Sequence, residues 1–372
     1  MKKIGIITFH NTTNYGALFQ CYALQKCLND NNGLCEIVNY NNDHLVKNYD
    51  LNPFKSKSIK EFIKKIIYYI PENINKKSFK KFCDNNIKLS KEKYNEYNIK
   101  NSNKKYDAFI VGSDQIWNYS LSGNDDNYFL KFCDDNKKKN SYAASFGSKN
   151  QYIINKNSMK KLLQEFENLS VREDEMVTIL KSDIKEKNID NSIDPVFLLT
   201  MNEWDKLIPN KKKIKKTYIF VYEVARTPLL RDFAKKLAKK YGYEIIYLSK
   251  AGKKMKGVKI KYCVSPIEFL SYIKNAKFVV TSSFHGMAFS IIFNKQFYFD
   301  TPDNSSEFGS RLDSLSRISN TMERKIVPNF EDNIFNDIEY SLVNVNVNNE
   351  IKKSFNYLKK ILEENNKWKK NY

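Results

Sequence analysis

The chain is poor in the residues that usually carry acid–base and redox chemistry. Histidine occurs three times in 372 residues, as His10, His44 and His285, and arginine only six times among 63 basic residues. The six cysteines (Cys21, Cys27, Cys35, Cys83, Cys133 and Cys263) form no CxxC pair and no Cys/His cluster. That excludes a zinc site or a disulfide framework and reads them as small buried apolar residues of a reducing compartment. No apolar run approaches the ~18 residues of a membrane span. Ile4 to Ile7, the apolar run after the N-terminal Met1-Lys2-Lys3, is too short for the core of a signal peptide. These absences point to a cytoplasmic protein with no metal centre.

What is abundant is lysine. The formal net charge is +21, almost all of it lysine interleaved with asparagine and isoleucine along the whole chain. A bias without a stripe or patch reads as a solvated surface, and no helix-turn-helix, zinc-finger or RNP-type signature supports a sequence-specific nucleic-acid partner. Peripheral contact with an anionic membrane at its inner face stays open. With lysine supplying the surface charge, arginine is kept where a planar, bidentate fork is needed, and Arg172, Arg226, Arg231, Arg311, Arg317 and Arg324 become informative.

Apolar runs alternate with helical periodicity in two blocks. The first has strands at residues 3–8, 35–40, 106–111, 141–145 and 169–172. Its helices are expected near 17–28, 159–167 and 173–180, with a lysine-rich helical region over 59–100 broken at Pro71. In the second block strands are expected at 218–222, 244–248, 277–281 and 296–299, and helices near 229–240, 266–275 and 285–293. Strands separated by helices imply parallel βαβ units. The length suits two domains, a linker over 202–216 around Trp204 and the lysines before Thr217, and a final amphipathic helix through Ile351, Phe355 and Leu358. One Rossmann domain with a long appendage is the alternative.

His285 lies in Val280-Thr281-Ser282-Ser283-Phe284-His285-Gly286, where an apolar strand gives way to an apolar helix. Such turns form the carboxyl edge of a parallel sheet, where ligands bind and helix N-termini offer N–H groups to anions. A histidine there is a candidate for proton transfer, or a ring satisfied by the backbone at a cap. Four further segments fall at strand ends. Asn11-Thr12-Thr13-Asn14-Tyr15-Gly16 opens the first helix without the GxGxxG spacing of a dinucleotide site. Gly112-Ser113-Asp114-Gln115-Ile116-Trp117-Asn118 offers close backbone approach at Gly112, a carboxylate at Asp114 and a flat apolar wall at Trp117. Ala143-Ala144-Ser145-Phe146-Gly147 and Ser170-Val171-Arg172-Glu173 complete the set, each with a capping or turn explanation of its own.

In their order and spacing, these segments resemble the polysaccharide pyruvyl transferase family, together with Asp194-Pro195-Val196 and Ser310-Arg311-Leu312. The resemblance implies an α/β, GT-B-like fold. Two Rossmann-type doubly wound domains, 1–200 and 201–348, would face a cleft, and a C-terminal helix in 349–372 would cross back to the first. It also implies transfer of pyruvate as a ketal from phosphoenolpyruvate to a sugar of a cell-surface polysaccharide or its precursor, without a further cofactor. His285 would be the proton donor and Arg172, from the acceptor-side domain, would meet the donor's anionic groups. Many members carry arginine two residues before the histidine; Ser283 stands there in this chain. Arg311 is then the candidate replacement, with Ser282, Ser283 and Gly286 beside it, and Asn14, Tyr15, Gly16, Gly112, Ser113, Asp114, Gln115 and Trp117 complete the expected substrate contacts. A glycosyltransferase with a nucleotide-sugar donor and a non-catalytic glycan-binding relative remain alternatives, since fold does not fix function.

Overall fold

In the computed structural model, residues 2–31, 33–48, 58–209, 216–224, 227–248, 255, 257–301, 309–328 and 336–362 are described. The chain divides into two compact units, one drawn from Met1–Tyr49, Cys83–Leu199 and Val347–Tyr372, the other from Asp50–Phe82 and Thr200–Asn346. Asp50–Phe82, which the sequence reading placed in the domain 1–200, groups instead with the second unit.

The strands of the first unit are β1 (Lys3–Ile7), β2 (Leu34–Tyr40), β3 (Leu89–Tyr94), β4 (Ala108–Val111), β5 (Lys139–Ser141), β6 (Leu169–Val171) and β7 (Ile189–Asn191). The first five make a parallel sheet in the order β3-β2-β1-β4-β5, and β6 pairs with β7. The second unit has β8 (Tyr218–Tyr222), β9 (Glu244–Leu248), β10 (Lys259–Lys261), β11 (Phe278–Thr281) and β12 (Gln296–Phe299), again parallel, in the order β10-β9-β8-β11-β12. Each unit thus has the doubly wound α/β topology that the resemblance implies for one half of the chain. Central strands such as β4, β8 and β11 are buried along their whole length, as strands covered on both faces must be.

Several elements depart from the sequence reading. Pro71 does not break its helix: Ile59–Asn86 is continuous, because a proline removes one backbone donor and a long helix absorbs that loss as a local irregularity. The end of the expected helical region is instead strand β3, whose polar Ser-Lys-Glu-Lys centre suits the sheet edge it occupies. β5 stops at Ser141, where Ala143 turns to a positive φ of 47°. The lysine run at 211–215 and Arg226 lie outside the described residues. The C-terminal helix Tyr340–Leu362 places Ser354 and Tyr357 in the first unit, where Ser354 Oγ accepts from the Ile193 amide (2.9 Å) and the Tyr357 hydroxyl donates to the Ser141 carbonyl (2.8 Å). All six cysteines are free, with Cys21, Cys27, Cys35 and Cys133 buried and the other two half-buried.

Candidate functional site

In the second unit the chemistry gathers where β11 ends. The helix Phe284–Ile292 starts one residue after a tight turn, and Ser283 is its N-cap, its Oγ accepting from the Gly286 amide at 3.3 Å. Thr281 Oγ1 fixes the same turn, donating to the Tyr222 carbonyl (2.7 Å) and accepting from the Ser283 amide (3.0 Å). Ser282 Oγ accepts from the Val224 amide at the end of β8 (3.1 Å). A Cβ at Gly286 would stand 2.4 Å from Thr281 Oγ1, so only glycine lets the helix come this close to the strand.

The result is a first helical turn that carries His285, 6% exposed, with its ring edge-on to Phe284 at 5.1 Å. Ser282, Ser283 and Gly286 do come together beside it. Both serine oxygens accept from backbone amides, and Ser283 also hydrogen-bonds the Tyr222 hydroxyl. Arg311, 6% exposed, begins the helix Gly309–Ile318, which follows β12 and packs on the helix of His285.

In the first unit a second polar cluster ties together the carboxyl ends of four strands. Arg172, 5% exposed, donates from Nη1 to Asp194 Oδ2 (2.7 Å) and from Nε to Glu173 Oε1 (3.3 Å). Ser113 Oγ donates to the same Asp194 oxygen (3.2 Å), and Ser145 Oγ to Glu173 Oε1 (2.6 Å). Burial works to lower the Arg172 pKa, but Glu173, Asp194 and Asp114 together hold it above its ordinary value. The guanidinium is therefore a locked cation whose charge the chain's own carboxylates offset. Asp194 and Glu173 were not among the expected site residues; the signals were the Asp-Pro step and the acidic residue directly after the arginine.

The other expected contacts divide. Asn14 is the N-cap of the helix Tyr15–Asp30, its Oδ1 accepting from the Gly16 (2.9 Å) and Ala17 (3.4 Å) amides, while Tyr15 and Gly16 are buried in that helix. Gly112 lies where a Cβ would meet Thr8 at 3.0 Å. Asp114, 7% exposed, holds a positive φ of 68°, and its carbonyl accepts from the Ser145 amide. Gln115 Oε1 accepts from Asn118 Nδ2 at 2.9 Å. Trp117 is no ligand wall. Its indole is fully buried, stacked on Phe129 at 5.2 Å and donating to the Tyr128 carbonyl at 3.0 Å, because a large apolar ring at a strand end is taken up by the core. Arg231 is buried, donating to Glu223 Oε2 (2.6 Å) and to the Tyr247 hydroxyl (2.8 Å). Among the described residues no group of three or more His, Cys, Asp or Glu is placed to hold a metal, and no helix is long and apolar enough to cross a membrane.

A family model described as polysaccharide pyruvyl transferase matches residues 14–300. The chain belongs to the polysaccharide pyruvyl transferase family. The matched stretch contains both clusters, from Ser113 to Asp194 and from Ser282 to Gly286, and stops short of Arg311. No curated protein matches by sequence. Among solved structures, similar folds include the UDP-GlcNAc 2-epimerase of Neisseria meningitidis bound to UDP-GlcNAc, at 11% identity over 98% of this chain and 95% of that one (TM-score 0.45). The ADP-heptose lps heptosyltransferase II of E. coli is similar at 11% identity over 95% and 100% of the two chains (TM-score 0.37).

Proposed function

We propose that this family member transfers pyruvate as a ketal from phosphoenolpyruvate to two hydroxyls of a saccharide, a cell-surface polysaccharide or its precursor. The observation that carries this reading is His285, a titratable ring held in the first turn of a capped helix at a sheet's carboxyl edge, with serine hydroxyls and a buried arginine in the same unit. The donor's methylene carbon takes a proton and its C2 becomes electrophilic. One sugar hydroxyl adds there, a second displaces phosphate, and the two hydroxyl protons are released. His285 supplies the first proton. The helix N-terminus, the Ser282 and Ser283 hydroxyls and Arg311 take the phosphate or carboxylate. In this reading Arg172, its charge already offset by Asp194 and Glu173, acts as a positioning residue for the strand ends of its own unit rather than as the donor's main cation.

Calorimetry with phosphoenolpyruvate tests the donor. Binding should be measurable for the native protein and weakened at least about tenfold in Arg311→Ala, the scale of one charge-assisted hydrogen bond. Heat with a nucleoside diphosphate and none with phosphoenolpyruvate would replace the proposal by nucleotide-sugar glycosyl transfer.

A further inference from the structure

The helix Ile59–Asn86 turns apolar side chains to water. Ile59 is 80% exposed, Ile63 53% and Ile74 52%, with Tyr69 at 47% on the flank. The spacing of 59, 63 and 74 puts the three isoleucines on one face of an α-helix, and the sequence keeps isoleucine at 66 and 70 in the same register. Scattered exposed apolar residues are ordinary; a row of them along about 22 Å of one helix is not. The helix is seated by its other side. Phe79 and Phe82 are buried, and the Pro71 carbonyl accepts from the Cys263 thiol at 2.9 Å. The isoleucine row plays no part in that seating.

Lysine surrounds the row. From Ile59 to Phe82 the sequence holds seven lysines and two glutamates. Lys77, Lys80 and Lys81 are exposed. Lys77 and Lys81 follow Ile59 and Ile63 by about five full turns, so the same face changes from apolar to cationic toward the C-terminal end of the helix. A surface that is apolar beneath and anionic at its rim complements both halves, and the interface of an anionic bilayer is such a surface. A second copy of the chain suits the face less: each copy carries +21, and pairing this face with itself brings lysine toward lysine. Among the described residues no helix is long and apolar enough to cross a membrane, so the geometry is that of a helix lying in the interface plane.

We propose that this helix is a docking surface for an anionic lipid bilayer, with Ile59, Ile63 and Ile74 toward the acyl boundary and Lys77 and Lys81 against lipid phosphates. The proposal goes beyond the transferase reading and does not depend on it, since it concerns where the chain sits rather than what it transfers.

The test is flotation of the full chain with vesicles, either of phosphatidylcholine alone or of an equal mixture of phosphatidylcholine and phosphatidylglycerol. The native protein should bind the mixed vesicles and leave the neutral ones. A chain of this net charge is attracted to anionic vesicles through any face, so the variants separate insertion from diffuse attraction. Ile59→Ser/Ile63→Ser/Ile74→Ser keeps every charge and changes only exposed side chains, and it should weaken binding at least about tenfold. Lys77→Glu/Lys81→Glu should weaken it by about tenfold or more, whereas the same reversal at Lys235 and Lys239, exposed on the helix Pro228–Tyr241, should weaken it clearly less. No binding to the mixed vesicles, equal binding to the neutral ones, undiminished binding by the triple-serine variant, or equal losses from the two lysine pairs would overturn the proposal. So would a lipid-free native dimer in sedimentation velocity that the serine variant turns into a monomer, which would give the face to a second copy.

Discussion

At the scale of single residues, the structure separates two kinds of arginine that look alike in the sequence. Arg172 is bound within its own unit by Asp194 and Glu173, so removing the guanidinium leaves buried carboxylates without their cation. Arg172→Ala should therefore lose about 3–5 kcal/mol of stability, read as a lowered urea midpoint. Arg172→Lys, if folded, should bind phosphoenolpyruvate as the native protein does. A folded Arg172→Lys protein with lost donor affinity would return this residue to the anion site. Ser283 adds a second lesson: as N-cap of its helix it has structural work that an arginine could not perform. Ser283→Arg should cost about 1 kcal/mol of stability yet partly restore donor affinity in Arg311→Ala, a coupling that a double-mutant cycle measures and that strict additivity would refute. The sequence made His285, Ser283 and Gly286 legible because local chemistry and a strand-to-helix turn coincide there. It misled at Trp117, whose surroundings are rings from farther along the chain, Phe129, Phe146 and Phe166.

At the scale of elements, helix–strand contact at β11 rests on one missing methyl group. Gly286→Ala would drive a Cβ into Thr281 Oγ1 and should cost about 1–3 kcal/mol, the range for overpacking a tight core. In a Thr281→Ala background the added cost should shrink, because the obstructing oxygen is gone; an equal penalty in both backgrounds would mean the contact is not what excludes alanine. Elements with strong apolar runs, such as β4, β8 and β11, were readable, since burial on both faces writes a continuous hydrophobic string. β3 was not, because an edge strand needs only Leu89, Ser90 and Tyr94 turned inward and wears lysine and glutamate outside. Pro71 was overweighted: its helix continues from Ile59 to Asn86.

At the scale of the whole molecule, repeated strand–helix alternation announced two α/β units, whereas the grouping of 50–82 with the second unit leaves no local mark in the sequence. Acid should also act through burial. The folded-state pKa of His10 lies below the ordinary value of 6.5, held there by desolvation against its bonds to Thr8 and Asn39. Below pH 6.5 the unfolded chain takes up a proton that the folded one refuses, so stability is full above that pH and declines as pH falls toward the folded value. The native protein should lose up to about 1.4 kcal/mol per pH unit more than His10→Gln in that window. Parallel urea midpoints from pH 7.5 to 5.5 would disprove it.

The central claim is proton transfer by His285 in ketal formation from phosphoenolpyruvate. Its most direct measurement is incubation with phosphoenolpyruvate and candidate saccharides, following phosphate release and the saccharide's mass in parallel. The native protein should release phosphate only with an acceptor present and in step with a pyruvate-ketal mass gain. His285→Ala should be slower by about 10²-fold or more at unchanged stability. Ketal formation at a near-native rate by a folded His285→Ala protein would contradict the account.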